Sequence, residues 1–190
     1  DPAARLRDIL ADARMTVLVG DAALETTLDW PRACALWLDA DHAELDAALV
    51  GDGDFATRPD ADGAAIAFHT LGPDGKARGT ALSHRAVAAA VEGLADALAF
   101  DAGQRVSGDA LPIDPMSVIA PLLALGHGAT WRIVDAHALA HGDLGDLDTF
   151  IASPETWHAL VDTNWPGDRR LRAVVAGGTP TPDMAVRIAA

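Results

Sequence analysis

The chain has little cysteine, little lysine and no long apolar run. Cys34 stands alone among 190 residues, so the sequence offers neither a disulfide framework nor a thiolate metal cluster. Its apolar setting, residues 33–38, predicts a packed thiol rather than a nucleophile. Lys76 is the one lysine against thirteen arginines, and acidic residues outnumber both together, giving a formal net charge of −14. That balance argues against nucleic acid, whose phosphates require basic surface. No apolar stretch approaches the roughly 18 residues of a membrane span, and no leader pattern is visible. These absences predict a cytoplasmic protein with no membrane and no nucleic-acid partner.

Half of the residues are hydrophobic and charged residues are ordinary in number, which suits a globular chain with a proper core, read as one domain over 1–190. Apolar periodicity alternates between the two basic patterns. Leu6, Ile9 and Leu10 sit at helical spacing before a strand-like stretch at 15–19, and a second strand reads at 34–38. An acidic amphipathic helix follows at 41–50, then a Gly, Asp and Pro loop over 51–63. A third strand reads at 64–68, and Ser83 is placed to cap an alanine-rich helix running to about residue 100. Further strands read at 105–107, 130–134, 149–152 and 171–176. Helices read at 116–125, from Pro154 and from Pro182, proline being favourable at a first helical position. Strands alternating with helices predict an α/β fold with a mostly parallel sheet flanked by helices, whose ligands bind beyond the carboxyl ends of the strands.

The richest stretch is residues 64–87. An apolar strand opens into a segment with Gly72, Gly75 and Gly79, and a helix begins at Ser83. Strand, glycine loop and helix is a layout that cradles phosphate, because small residues let backbone N–H groups approach an anion. The segment reads Thr70-Leu71-Gly72-Pro73-Asp74-Gly75-Lys76-Ala77-Arg78-Gly79, then Ser83-His84. It resembles the signature T-S-G-S-T-G-x-P-K-G of the adenylate-forming superfamily, which includes the adenylation domains of nonribosomal peptide synthetases and the acyl-CoA ligases. Thr70 and the three glycines match. Leu71, Pro73 and Asp74 stand in place of hydroxyl residues, Ala77 in place of proline, and Arg78 in place of lysine.

The resemblance runs along most of the chain in order. The opening Asp1-Pro2 through Arg5-Leu6 to Asp12 is similar to the family's DP…ERL…ML.D segment. Leu111-Pro112-Ile113-Asp114 and the helix ending in Gly128-Ala129-Thr130 resemble its F-D-x-S … LL-x-G-A-x, with a one-residue slip. Ser153-Pro154-Glu155 and Leu171 through Gly177-Gly178 resemble two later motifs. The resemblance implies part of the large N-terminal region of an adenylate-forming enzyme. It also implies that Asp114 stands where amino-acid-activating members hold the substrate's amino group; the structural alternative is a carboxylate favoured at a helix start.

What the resemblance implies about activity is divided. In the family, loop hydroxyls and amides hold the β- and γ-phosphates of ATP. Here Pro73 removes a backbone donor, Asp74 places negative charge where a polyanion would sit, and arginine for lysine is not a neutral exchange. The family's Y-G-P-T-E segment, ribose aspartate and catalytic lysine lie beyond the motifs matched. The expectation is therefore a truncated, catalytically inactive adenylation-like domain with no catalytic residue and no bound metal or cofactor. Thr70, Gly72, Gly75, Lys76, Arg78 and Gly79 are then a relic phosphate loop, and Asp114 a relic amine position. Its role would be structural, among neighbouring condensation, oxidase or carrier domains of a nonribosomal peptide or hybrid polyketide–peptide synthetase, with an MbtH-like protein as a further partner. The alternative is a fragment of an active ATP- and magnesium-dependent ligase that forms an acyl-adenylate.

Other patterns are weaker. His137 and His141, four apart with Asp143 nearby, have no glutamate base between them and read as ordinary histidines. Gly126-His127-Gly128 lacks the third glycine of a dinucleotide fingerprint. Trp30, Trp37, Trp131, Trp157 and Trp165 are spread along the chain and read as core or interface fillers.

Overall fold

The computed structural model describes residues 2–31, 34–40, 59–71, 77–108, 115–134, 138, 140–163, 165, 167–168 and 170–189. The acidic helix expected at 41–50 and most of the loop at 51–63 lie outside them. The chain divides into two compact units, Asp1–Ala81 and Leu82–Ala190.

In the first unit, α1 (Pro2–Asp12) forms where the apolar spacing predicts it. It stops as Arg14 turns into the left-handed region at φ 49°. The strand expected at 15–19 shrinks to β1 (Leu18–Gly20), the segment that finds a partner. It pairs in parallel with β2 (Ala35–Trp37), Leu18 opposite Ala35 and Gly20 opposite Trp37. Met15, Val17 and Val19 stay about half exposed. Between the strands lies α2 (Ala23–Leu28), which periodicity alone does not reveal. No side chain caps its start; instead the Ala22 N–H donates to Asp39 Oδ1 at 2.8 Å, a contact from seventeen residues away. Cys34 is exposed, against the packed thiol expected. The strand begins one residue later, and the Cys34 carbonyl accepts the Trp30 indole N–H at 3.1 Å. Next, β3 (Ala64–Leu71) and β4 (Ala77–Ser83) pair in a two-stranded sheet.

The second unit holds a four-stranded sheet of β5 (Arg105–Gly108), β6 (Thr130–Trp131), β7 (Thr149–Ala152) and β8 (Arg172–Val175). All its pairings are parallel, in the order β6-β5-β7-β8. Its helices are α3 (His84–Ala97), α4 (Met116–Gly126), α5 (Pro154–Asp162) and α6 (Pro182–Ala189). The register puts Val106 beside Thr149 and Ile151 beside Val174. Period-two alternation then sends Val106 and Ile151 to one face and Phe150 and Ala152 to the other. The first face packs on Val91 and Ala95 of α3 and Ile119, Leu123 and Ala124 of α4. The second packs on Trp157 and Leu160 of α5 and Met184 of α6. Strand β7 is buried at all four positions, which is why Thr149 to Ala152 reads as a continuous apolar run rather than an alternating one. Trp157 meets Phe150 edge-on at 5.2 Å and donates its indole N–H to the Val174 carbonyl at 3.0 Å, which joins α5 to β8.

Candidate functional site

The segment expected to cradle phosphate reads as a loop from Thr70, after a strand ending at Phe68, but in the structure β3 continues to Leu71. Thr70 is the penultimate residue of that strand and is exposed. Beyond it the layout differs from the expected strand, loop and helix. Pairing extends β3 to Leu71 and resumes at Ala77, so the connection narrows to residues 72–76 and a second strand precedes the helix. Arg78 and Gly79, read as loop residues, belong to β4. Gly79 has a packing reason to be glycine. A Cβ there would lie 2.9 Å from His69 Nε2 and 3.4 Å from Asp12 Oδ2. His69, with a side chain only 8% exposed, sits against that bare backbone with its Nε2 3.1 Å from Asp12 Oδ2. Sequence reading missed this trio, because three residues this far apart leave no spacing to detect. Gly72, Gly75, Lys76 and Asp114 lie outside the described residues. The predicted cap holds: Ser83 Oγ accepts the Ala86 N–H at 3.2 Å and starts α3 directly after β4.

In the second unit, the carboxyl ends of β5 and β7 are where a parallel sheet offers its ligand crevice. Gly108, Trp131, Met116, Ala152, Ser153 and Ala176 border it, and they leave about 10 Å³. That is room for about one water molecule. Trp131 covers Gly108 so closely that a Cβ on residue 108 would lie 3.1 Å from the indole and would run into the Ile151 carbonyl oxygen. The Ser153 hydroxyl is committed to capping α5 through the Thr156 N–H at 3.3 Å. The space between these described residues is too small for a nucleobase.

Charged groups gather before the opposite, amino ends of β5, β7 and β8, and Arg132, just after β6, joins them. Arg105 and Arg132 both bind Asp146, Arg132 at 2.8 Å. The Arg105 backbone N–H donates to Asp148 Oδ2 at 2.8 Å and is the main cause that holds the Asp148 carboxyl below its ordinary pKa; burial opposes it, and the Arg105 guanidinium adds a smaller lowering effect. Asp168 is lowered likewise, chiefly by the Arg170 backbone N–H. Asp148, Arg170 and Arg172 face an open groove of about 670 Å³ at this end. Arg172 is spent on the Leu98 carbonyl and Arg170 on Asp168. The arrangement braces strand starts and presents no convergent set of groups for chemistry. Gly145, at φ +63°, belongs to the brace, since a Cβ there would lie 2.6 Å from Arg132 Nη1.

The remaining candidates resolve simply. His137 lies outside the described residues, and among those described no three metal-ligating side chains converge. His127 closes α4, its Nδ1 3.0 Å from the Leu123 carbonyl, and Gly128 follows at φ +71°, a helix stop rather than part of a dinucleotide loop. Trp37 and Trp157 are fully buried, while Trp30, Trp131 and Trp165 are partly so. No helix among the described residues is long and apolar enough to cross a membrane.

A parallel α/β sheet between two helical layers, preceded by a β3–β4 pair that leads straight into a capped helix, is the fold of part of the large N-terminal region of an adenylate-forming enzyme. Solved structures of such enzymes superimpose on it. MatB from Rhodopseudomonas palustris with ATP bound matches with a TM-score of 0.78 at 18% identity, over 98% of this chain and 40% of its own. VinN in complex with L-aspartate matches with a TM-score of 0.79 at 16% identity, over 98% of this chain and 50% of its own. The four-domain nonribosomal peptide synthetase AB3403, bound to AMP and glycine, matches with a TM-score of 0.75 at 19% identity, over 99% of this chain and 14% of its own. The chain thus spans half or less of the length of these neighbours. No protein-family model and no curated protein matches the sequence.

Proposed function

We propose that this chain is an adenylation-like domain that keeps the fold of the nucleotide-binding region without its grip on a triphosphate, and that it acts as a structural or interaction module in a nonribosomal peptide or hybrid polyketide–peptide synthetase. One observation carries the reading: Leu71, Pro73 and Asp74 stand where the family's hydroxyl-bearing loop would meet phosphate. Phosphate binding by such a loop depends on donors aimed at the anion. Leucine and proline supply none from their side chains, and proline lacks the backbone N–H as well. A carboxylate about 4 Å from a phosphate charge costs about 1 kcal/mol at the dielectric of water and about 4 at the effective value near a protein surface. The donor set therefore does not fit ATP.

Isothermal titration with magnesium and ATP tests it. The expected outcome is no heat of binding at micromolar ATP, together with no amino-acid-dependent exchange of pyrophosphate. Micromolar affinity, or exchange with any amino or acyl acid, overturns it. The second reading, part of an active ATP-dependent amino-acid- or acyl-activating ligase, is favoured by Thr70, Lys76 and the three retained glycines and by the likeness to ATP-bound MatB. In the proposed module the partners are neighbouring condensation, oxidase or carrier domains, with an MbtH-like protein as a further candidate.

A further inference from the structure

The first unit carries a groove that the nucleotide reading leaves unused. Arg7, Leu10 and Ala11 follow one another at i, i+3 and i+4 along one stripe of α1, and Arg14 stands in the turn that ends the helix. With Met15, and with Leu28 and Trp30 across from them, they line a trough of about 320 Å³. The floor is apolar: Leu28 is buried, and the hydrogen bond from Trp30 to the Cys34 carbonyl holds the indole in place. Met15 is 48% exposed and is a side chain that adapts to a visitor. Each end is cationic. The Arg7 guanidinium is propped on the Thr27 carbonyl at 2.6 Å, and the Arg14 side chain has no partner among the described residues. Two arginines with no ion pair among the described residues, bracketing an apolar floor, stand out in a chain whose net charge is −14.

We propose that this groove docks an acidic amphipathic helix of a partner protein. Arg7 stands within α1 and Arg14 in the turn that ends it, seven residues further along the chain. A partner helix lying alongside α1 meets them with carboxylates one heptad apart and lowers an aliphatic side chain between them onto Leu10, Leu28 and Trp30. Charge complementarity selects this occupant. A second copy of the chain, meeting α1 about a two-fold axis, would set arginine against arginine. The inference does not depend on the fate of the nucleotide loop, because none of its residues belongs to that segment.

The test uses a fluorescein-labelled, helix-stapled peptide with one leucine flanked by glutamates seven residues apart, followed by fluorescence anisotropy against the whole chain. The expected result is saturable binding that weakens with added salt. It also falls about tenfold in the doubly substituted chain carrying Arg7→Glu and Arg14→Glu, and returns when lysines replace the peptide's glutamates. Arg14→Gln, which spares Arg7's contact with Thr27, reports the same loss more weakly if the double variant fails to reproduce the parent circular dichroism. Equal binding of a scrambled peptide of the same composition overturns the proposal. So does unchanged affinity in the folded variants, or sedimentation of the parent as a dimer that Arg14→Gln dissolves.

Discussion

Gly108 shows how much one hydrogen in place of a methyl group matters. It ends β5 with Trp131 laid over it and the Ile151 backbone pressed against it, so a side chain there has no soft neighbour to displace. Gly108→Ala is expected to destabilise the chain by about 3 kcal/mol, the upper part of the range for overpacking, read as a lowered urea midpoint with unchanged m-value. Gly79 is a milder case, since the atom it accommodates is the far end of the His69 side chain rather than backbone. At this scale the same residue type has more than one cause: close approach at Gly79 and Gly108, and a helix stop at Gly128.

Among the elements, β7 is the spine of the second unit. It is central, buried at every position, and fed at its start by Asp148. Because the Arg105 N–H lowers the folded-state pKa of Asp148, its stabilising contribution is fully present above the ordinary carboxylate value of about 4 and is lost as pH falls towards the lower folded value. Asp148→Asn should therefore lower stability at neutral pH and flatten the acid limb of the stability curve below about pH 4. Urea midpoints measured across that range for parent and variant decide it. The effect is small, because the carboxylate is substantially solvated. An unchanged acid limb would assign the acid sensitivity to other groups.

For the whole molecule, apolar burial is uneven. Both large clusters of buried side chains lie in the second unit. Among the described residues of the first, Leu28, Trp37 and Phe68 are the buried hydrophobics. Since burial of apolar area is the dominant favourable term in folding, a fragment of residues 82–190 is expected to unfold cooperatively by circular dichroism. A fragment of residues 1–81 is expected not to. A cooperative transition in the shorter piece, or none in the longer, would contradict this distribution of stability.

Much of the second unit is written in local pattern. Strand β7 has the predicted bounds, α4 and β8 lie within one residue of theirs, and the helices at Ser83, Pro154 and Pro182 begin where capping and proline chemistry put them. The first unit was less legible. Helix α2 is secured by Asp39 from outside its own turn, and the strand at 15–19 was cut to the length its partner allowed. Of the candidate loop, Thr70 lies within β3, which runs three residues past the strand end that the apolar run suggests. Arg78 and Gly79 were drawn into β4 by pairing that no local signal announces.

The order of residues by itself determined the elements of the parallel α/β core, because caps, prolines and apolar periodicity act over a few residues. Only the tertiary structure decided that Gly79 makes room for His69, that Trp131 closes the crevice over Gly108, and that two arginines bracket an apolar trough beside α1. Those outcomes depend on which distant atoms come to share a few cubic ångströms, and packing at that range leaves no mark on spacing along the chain.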